Sequence, residues 1–189
     1  MAILHTIPES SATGTTAAFY TDDIADQGFV AAHTKVMALN PEAFAAWEAL
    51  IGAIARPLGK RRYELVTLAA ARGARSRHCR LAHGRRSLAL FDEAQLVRIA
   101  SDYRDADLSP AEVAMMAFAE RVSEDSDQMT DADSLVLREH GFTDREILDV
   151  TLAAAARNYY SRAVQALAVD VEPPTDISDT LRDALLHGL

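Results

Sequence analysis

Apolar residues recur along the whole chain at spacings of three and four, which is the periodicity of amphipathic α-helices. Runs of alternating Val and Ile between hairpin turns, which would indicate strands, do not occur. The pattern therefore predicts an all-α fold. It places ten helices, with ends uncertain by about two to four residues, at 17–27, 29–39, 41–56, 60–72, 77–90, 93–103, 110–124, 131–140, 144–168 and 178–187.

Local capping signals support several of these boundaries. Asn40-Pro41 is expected to open a helix that Pro57 closes, and Ser109 to Glu112 and Thr143 to Glu146 have the capping-box pattern, which Thr130 to Asp133 resembles. The sequence contains no obvious interdomain linker, so a single domain over 1–189 is expected. Residues 1–15 are predicted to be a loose N-terminal segment and 171–189 a C-terminal extension.

A six-residue sequence occurs twice: Val66 to Ala71 and Val150 to Ala155 both read VTLAAA, 84 residues apart. Each copy follows charged residues and precedes a further helical run, so we predict two similar helical units packed about a pseudo-twofold axis. At the same offset the second copy lacks counterparts of Cys79 and its polar neighbours. This asymmetry favours a chemical role for the polar residues of the first copy.

Composition narrows the possible functions. The 189 residues are 49% hydrophobic and carry a formal charge of -9, with an isoelectric point near 5.1. An acidic chain is poorly suited to bind nucleic acid, whose recognition depends on neutralising phosphates. No apolar run is long enough for a membrane span and the start lacks a signal-peptide pattern, so we expect a cytoplasmic protein with neither nucleic-acid nor membrane partners. Its single cysteine excludes an intrachain disulfide.

That cysteine lies in the sequence SRHCRLAHG, between residues that suit acid-base chemistry. Ser76 is a good N-cap, which puts Cys79 in the first helical turn, where the helix dipole and free N–H groups lower the pKa of a thiol. His83 follows one turn later on the same face, and Glu64 on the preceding helix can orient it. His78 is adjacent to Cys79. Six arginines form a basic patch expected to favour a thiolate or attract an anionic substrate, at positions 72, 75, 77, 80, 85 and 86.

Two other interpretations of Cys79 compete with a reactive thiol. A lone cysteine is often a buried structural residue. A zinc site is disfavoured, because zinc requires three or four ligands and the remaining histidines form no recognisable ligand pair with Cys79 and His83. No nucleotide, haem or flavin motif is present, so the sequence predicts neither a metal nor a cofactor.

The spacing of Glu64, Ser76, His78, Cys79 and His83 resembles the E-x11-C-x-H-C-x3-H motif of the alkylhydroperoxidase D-like branch of the carboxymuconolactone decarboxylase family. The resemblance extends from about residue 20 to 172 and is strongest to the peroxidase-related subgroup. It implies an all-helical fold built from a duplicated unit, assembly into trimers or hexamers, and reduction of hydroperoxides with an external dithiol as reductant.

One position departs from the family motif, because Ser76 replaces the first cysteine of the pair. By resemblance, Cys79 is the cysteine that attacks peroxide, His83 takes its proton, Glu64 orients His83, and His78 assists the relay. Ser76 is then a remnant or a helix cap, since a hydroxyl cannot reduce a sulfenic acid. The sequence therefore predicts a one-cysteine hydroperoxidase that uses an external thiol or dithiol.

Two alternatives stay open at this level. In the first, a lactone or β-keto acid is decarboxylated by proton transfer without the cysteine, as in the other branch of the family, with His83 and Glu64 as acid and base. In the second, the site has decayed and the protein is an oligomeric helical scaffold or a redox-responsive binding protein. Alanine-rich helices bury little area, which adds weak support for a homo-oligomer.

Overall fold

The computed structural model describes residues 3–189, and over this range the secondary structure is helical, without strands. All ten predicted helices are present, which confirms the all-α class. They are α1 (Gly14–Gln27), α2 (Ala32–Met37), α3 (Pro41–Leu58), α4 (Lys60–Gly73), α5 (Arg77–Ser87), α6 (Glu93–Asp102), α7 (Pro110–Glu124), α8 (Asp131–Glu139), α9 (Asp144–Ala166) and α10 (Asp179–Leu186), with short 3-10 turns at Glu9–Ser11, Tyr103–Asp105 and Ser126–Gln128.

The capping signals define the helix starts as predicted. Asn40 accepts a hydrogen bond from the backbone N–H of Ala43, and all three capping boxes form, at Ser109, Thr130 and Thr143. Pro57 is the exception, because it lies within the last turn of α3 and does not close the helix. The helix ends at Gly59, whose φ of 74° suits a residue without a Cβ.

The central helix is α4, in which nine consecutive residues from Tyr63 to Ala71 are buried. It packs against α7, α9, α5 and α3, and the larger core cluster forms around it. The two VTLAAA copies lie in α4 and α9, which contact each other directly. Alanine at these positions allows the two helices to approach closely while keeping good helix propensity.

The duplicated unit diverges immediately after the repeat. The first copy ends at Gly73 and turns through Arg75, which has a left-handed φ of 54°, into the separate helix α5. The second copy continues as α9 for 23 residues without interruption. Beyond Gly73 the two copies differ in structure, so residues 84 positions apart are not equivalent there. The lack of a Cys79 counterpart in the second copy is therefore not evidence for a chemical role of the first.

Both chain ends contact the helical body. Residue 3 donates to the carbonyl of Leu167, the Tyr20 hydroxyl donates to the carbonyl of Ile7, and α10 packs on α5 and α6. Residues 1 and 2 of the predicted loose segment lie outside the described residues. Within residues 3–189, the helices are each too short or too polar to cross a membrane.

Candidate active site

A cavity of about 510 Å³ opens beside the N-terminal half of α5. Cys79, His78 and His83 line it from α5, and side chains of α1, α3 and α9 and of the segment before α10 form its other walls. Cys79 belongs to the smaller core cluster, which includes Phe44 and Tyr160. The predicted reactive cysteine therefore lies at the base of a chamber large enough for a small molecule.

Ser76 is the N-cap of α5, as predicted. Its buried hydroxyl accepts a hydrogen bond from the backbone N–H of Cys79 at 3.4 Å, which places Cys79 at the third helical position. The side chain of Cys79 is in the first turn, at the positive end of the helix dipole. Ser76 has a structural role here, and among residues 3–189 there is no second cysteine to form a disulfide with Cys79.

Two donors from α9 contact the sulfur of Cys79, which is 1% exposed. The Ser161 hydroxyl lies 3.3 Å from Sγ, and Nη1 of Arg157 lies 3.7 Å from it. Hydrogen bonds from a guanidinium and from a hydroxyl are both stronger when the acceptor carries negative charge. Although burial acts against the charged guanidinium, the neighbouring Cys79 and Tyr63 raise the pKa of Arg157 above its ordinary value.

His83 and Glu64 form the predicted pair, with Nδ1 of His83 2.7 Å from Oε2 of Glu64. Burial, followed by the charge of Arg157, lowers the pKa of His83 to about 4 despite the opposing effect of Glu64. The pKa of Glu64 is also lowered, because the charge and hydrogen bond of His83 outweigh the effect of burial. Near neutral pH the pair is therefore a neutral imidazole that donates from Nδ1 to a carboxylate, which leaves Nε2 as a base.

Arg157 is held in place by several contacts at the base of the cavity. Its Nη2 donates to the Tyr63 hydroxyl at 3.2 Å, and its guanidinium carbon lies 5.6 Å from the Trp47 ring centre and 5.8 Å from that of Tyr160. These cation–π contacts and the hydrogen bonds fix the charge beside Cys79. A fixed positive charge in a water-poor site interacts more strongly with developing negative charge than the same charge in water.

His78 also lines the cavity, but its ring contacts His33 from α2, with ring centres 4.3 Å apart. Burial, followed by the charge of His33, lowers the pKa of His78 to about 3, and burial lowers that of His33 to about 4. The structure thus brings Glu64, His83 and Cys79 to one site with Ser76 behind it. His78 faces a second imidazole on the cavity wall.

The predicted arginine patch does not exist as a unit. Arg80 is buried and donates to the backbone carbonyls of Leu68, Ala100 and Leu185, while Arg72 pairs with Glu120. Of the six arginines, those that line the cavity are 85 and 86. A run of arginines on successive helical turns points in several directions, which sequence proximity alone does not reveal.

Sequence analysis missed the contribution of α9. Arg157 and Ser161 contact Cys79, and Tyr160 lines the cavity. A signal was present, because Arg157 falls at helical spacing between the buried Ala153 and Val164 and so lies on the buried face of α9. Among the described residues, no group of three or more His, Cys, Asp and Glu side chains has the geometry to hold a metal ion.

Comparison with known proteins identifies the fold. No protein-family model matches this sequence, and no curated protein matches it. Several solved structures do match this chain. A peroxidase-related protein with an alkylhydroperoxidase AhpD core from Ralstonia eutropha JMP134 is 23% identical, with a TM-score of 0.79 and 98% of this chain and 96% of that one covered. A peroxidase-related protein from Silicibacter sp. TM1040 is 26% identical, with a TM-score of 0.76 over 90% and 92% of the two chains.

A more distant match is the debrominase Bmp8, solved with 2,3,4-tribromopyrrole as a variant in which alanine replaces a cysteine. It is 14% identical, with a TM-score of 0.76 and 98% of each chain covered. This chain is thus an alkylhydroperoxidase D-like protein in fold. Its particular resemblance is to the peroxidase-related proteins of that class, as the motif around Cys79 indicated.

Proposed function

We propose that this protein is a thiol-dependent oxidoreductase that reduces hydroperoxides with Cys79 as its one attacking thiol. The observation that carries the proposal is the contact of Arg157 and Ser161 with the Cys79 sulfur at the base of an accessible cavity. A merely structural cysteine has no need of a buried guanidinium, whose desolvation is costly. The peroxidase-related neighbours give the same expectation from their fold.

Each residue of the site has a role in this chemistry. His83, oriented by Glu64, accepts the proton of the Cys79 thiol at Nε2, and Arg157 stabilises the resulting thiolate. The thiolate attacks the terminal oxygen of the hydroperoxide and the O–O bond breaks. The departing alkoxide takes the proton from His83, so the products are an alcohol and the sulfenic acid of Cys79.

Restoring the thiol requires two equivalents of an external thiol, or one dithiol, because Ser76 cannot replace a resolving cysteine. The first thiol attacks the sulfenic acid, giving a mixed disulfide and water. The second attacks the mixed disulfide, which releases the Cys79 thiol and an external disulfide. This half-cycle suits the cytoplasmic location expected from sequence, where small thiols are kept reduced.

The test is consumption of cumene hydroperoxide in the presence of dithiothreitol by wild type, Cys79→Ser and His83→Ala. We expect no consumption above background in Cys79→Ser and a rate lowered by about 100-fold in His83→Ala, since general base catalysis contributes that order of acceleration. Undiminished consumption in Cys79→Ser would overturn the proposal.

The 2.7 Å pair of His83 and Glu64 also favours a second candidate, acid-base decarboxylation without the cysteine. In that case a panel of β-keto acids and lactones would yield a substrate turned over equally by wild type and Cys79→Ser but not by His83→Ala. The two candidates therefore predict opposite results for the cysteine variant.

We propose further that the protein forms a homo-oligomer through α9. Leu148, Leu152 and Tyr159 lie on one face of this helix and are 51%, 39% and 51% exposed. An apolar stripe of this kind is typical of a surface that is buried in an assembly. Light scattering on wild type and Leu152→Glu tests this, with an oligomer expected for wild type and a smaller species for the variant. A monomeric wild type would contradict it.

A further inference from the structure

The mouth of the cavity is acidic although its base holds an arginine. Among the described residues that line it, five are carboxylates and three are arginines. The carboxylates come from α1, α3 and the segment before α10, namely Asp23, Asp26, Glu48, Glu172 and Asp176.

Partners already neutralise one of the arginines at the mouth. Arg85 donates to Asp176 at 2.7 Å and lies 3.7 Å from Asp26. Glu172 and Asp23 accept hydrogen bonds from the backbone N–H groups of residues 32 and 31. These bonds fix both carboxylates at the entrance and supply only partial positive charge.

Glu48 lies close to two other carboxylates at the entrance. Burial, followed by the charges of Asp22 and Asp23, raises the pKa of Glu48 above its ordinary value. The carboxylates thus add to an effect in which burial is the larger cause.

Arg86 and Arg157 also line the cavity, and they offset only part of the charge of its five carboxylates. Arg157 lies 3.7 Å from the Cys79 sulfur, and the ionised Glu64 lies behind His83. His33 and His78 are neutral near neutral pH. An incoming molecule therefore meets a cavity whose lining carries more carboxylates than arginines.

The walls between mouth and base are aromatic. The ring centres of Trp47 and Tyr160 are 4.5 Å apart and those of Phe44 and Trp47 are 6.1 Å apart, and all three residues line the cavity. Flat apolar groups pack well against such surfaces. The same rings do not replace the hydrogen bonds that a strongly hydrated anion loses when it leaves water.

We propose that this cavity selects neutral or cationic molecules that carry a ring and excludes anionic ones, both as electrophiles and as reducing thiols. This inference rests on the proposed function for the statement that Cys79 attacks substrate. It replaces the anionic substrate expected from the arginine-rich sequence. The selection arises from the acidic mouth and the aromatic walls, not from a change in the thiol itself.

Charge selection is tested with methanethiosulfonates, because their reaction requires only an accessible thiolate. Cys79 sulfur attacks the reagent's sulfenyl sulfur, forms a disulfide and releases methanesulfinate. The probes are the anionic 2-sulfonatoethyl, the cationic 2-(trimethylammonio)ethyl and the neutral methyl and benzyl reagents. The rate of each reagent with Cys79 is measured by mass spectrometry at pH 8 and low ionic strength. It is divided by the rate of the same reagent with 2-mercaptoethanol, and this corrected rate removes differences in intrinsic reactivity.

We expect the corrected rate to be at least about tenfold lower for the anionic than for the cationic reagent, and this ratio to shrink in 0.5 M salt. The benzyl reagent is expected to outpace the methyl reagent. An anionic reagent that reacts as fast as the cationic one would overturn the proposal. So would the absence of reaction with every reagent, since the proposal requires an open route to Cys79.

Variants assign the selectivity to the mouth. Glu48→Gln and Glu48→Lys change the charge of an exposed residue at the entrance by one and two units, and Glu139→Lys makes the larger change on α8, outside the cavity lining. We expect the anionic-to-cationic ratio to rise by about twofold and about fivefold in the two Glu48 variants. It should change much less in Glu139→Lys. Equal changes in both lysine variants would overturn the assignment.

These outcomes are independent of peroxide chemistry. If the protein fails to reduce hydroperoxides but shows the charge and ring preference, this inference stands and the proposed function is wrong. If it reduces hydroperoxides without any preference, the reverse holds.

Discussion

In the proposed function, the chemistry of Cys79 depends most directly on Arg157. The guanidinium is buried, lies 3.7 Å from the sulfur and is fixed by Tyr63 and two aromatic rings. Its contribution comes from a charge that is already in place before the thiol ionises. His83 is uncharged near neutral pH and can accept a proton, while Arg157 supplies the positive charge beside the sulfur.

Replacing Arg157 by methionine should lower the rate of Cys79 oxidation by cumene hydroperoxide about 100-fold at pH 7, since the charge that stabilises the thiolate is lost. Stopped-flow measurement of wild type and variant gives this ratio, and circular dichroism checks that the variant is folded. Arg162→Met, an exposed arginine on the same helix, is the control. Equal rates in wild type and Arg157→Met would contradict the role of Arg157.

Three histidines near the site should make the protein less stable in mild acid. The pKa values of His33, His78 and His83 are lowered to about 4, 3 and 4, while unfolded histidine keeps a pKa near 6.5. Below that pH the unfolded chain binds more protons, so the free energy of unfolding falls as pH falls. Each histidine contributes up to about 1.4 kcal/mol per pH unit.

Urea unfolding between pH 7 and 5 measures this slope. His78→Gln removes one titrating group, so its slope should be smaller by up to about 1.4 kcal/mol per pH unit. A slope that is unchanged in the variant, or flat in wild type, would show that the histidines are solvated and not buried as described.

At the scale of elements, the site depends on how closely α4 approaches α7. Gly73 ends α4 just before the turn into α5, and a Cβ added there would lie 2.5 Å from the backbone oxygen of Glu120. Because backbone cannot yield as a flexible side chain does, a glycine is required at this crossing. The direction of α5, and with it the position of Cys79, follows from this contact.

Gly73→Ala should therefore lower the free energy of unfolding by about 1 to 3 kcal/mol, the range typical of overpacked sites. Gly52→Ala is the matched control, because Gly52 is also helical and an added Cβ there meets nothing within 4 Å. That control should be neutral or stabilising by up to about 1 kcal/mol. Similar values for the two variants in urea titrations would refute the close approach.

Helix ends were predictable from sequence because caps are local. Asn40, Ser109 and Thr143 satisfy backbone groups within their own first turn, so nearby residues determine these starts. The ends of α2 and α5 were less accurate, since α2 spans only Ala32–Met37 and α5 ends at Ser87. In such short or weakly amphipathic segments, tertiary packing determines where the helix begins and ends.

At the scale of the molecule, the site could be predicted only in part. Cys79, His83 and Glu64 lie within 20 residues of one another: helical spacing brings Cys79 and His83 together, and the short turn between α4 and α5 brings Glu64 to them. Arg157 and Ser161 are about 80 residues away, and their arrival beside Cys79 depends on how α9 packs against α4. The carboxylates at the mouth come from three separate segments, so the local sequence suggested the opposite charge.

The proposed function requires that the environment of Cys79 makes it react with hydroperoxide, and the rate of oxygen addition to the intact protein tests this most directly. Cumene hydroperoxide is added at pH 7 without reductant, and mass spectrometry follows the gain of one oxygen. The same measurement on the urea-unfolded chain provides the reference, because an ordinary thiol is largely protonated at this pH. We predict addition of a single oxygen at least about 100-fold faster in the folded protein, and none in Cys79→Ser. Equal rates in the folded and unfolded chains would contradict the account.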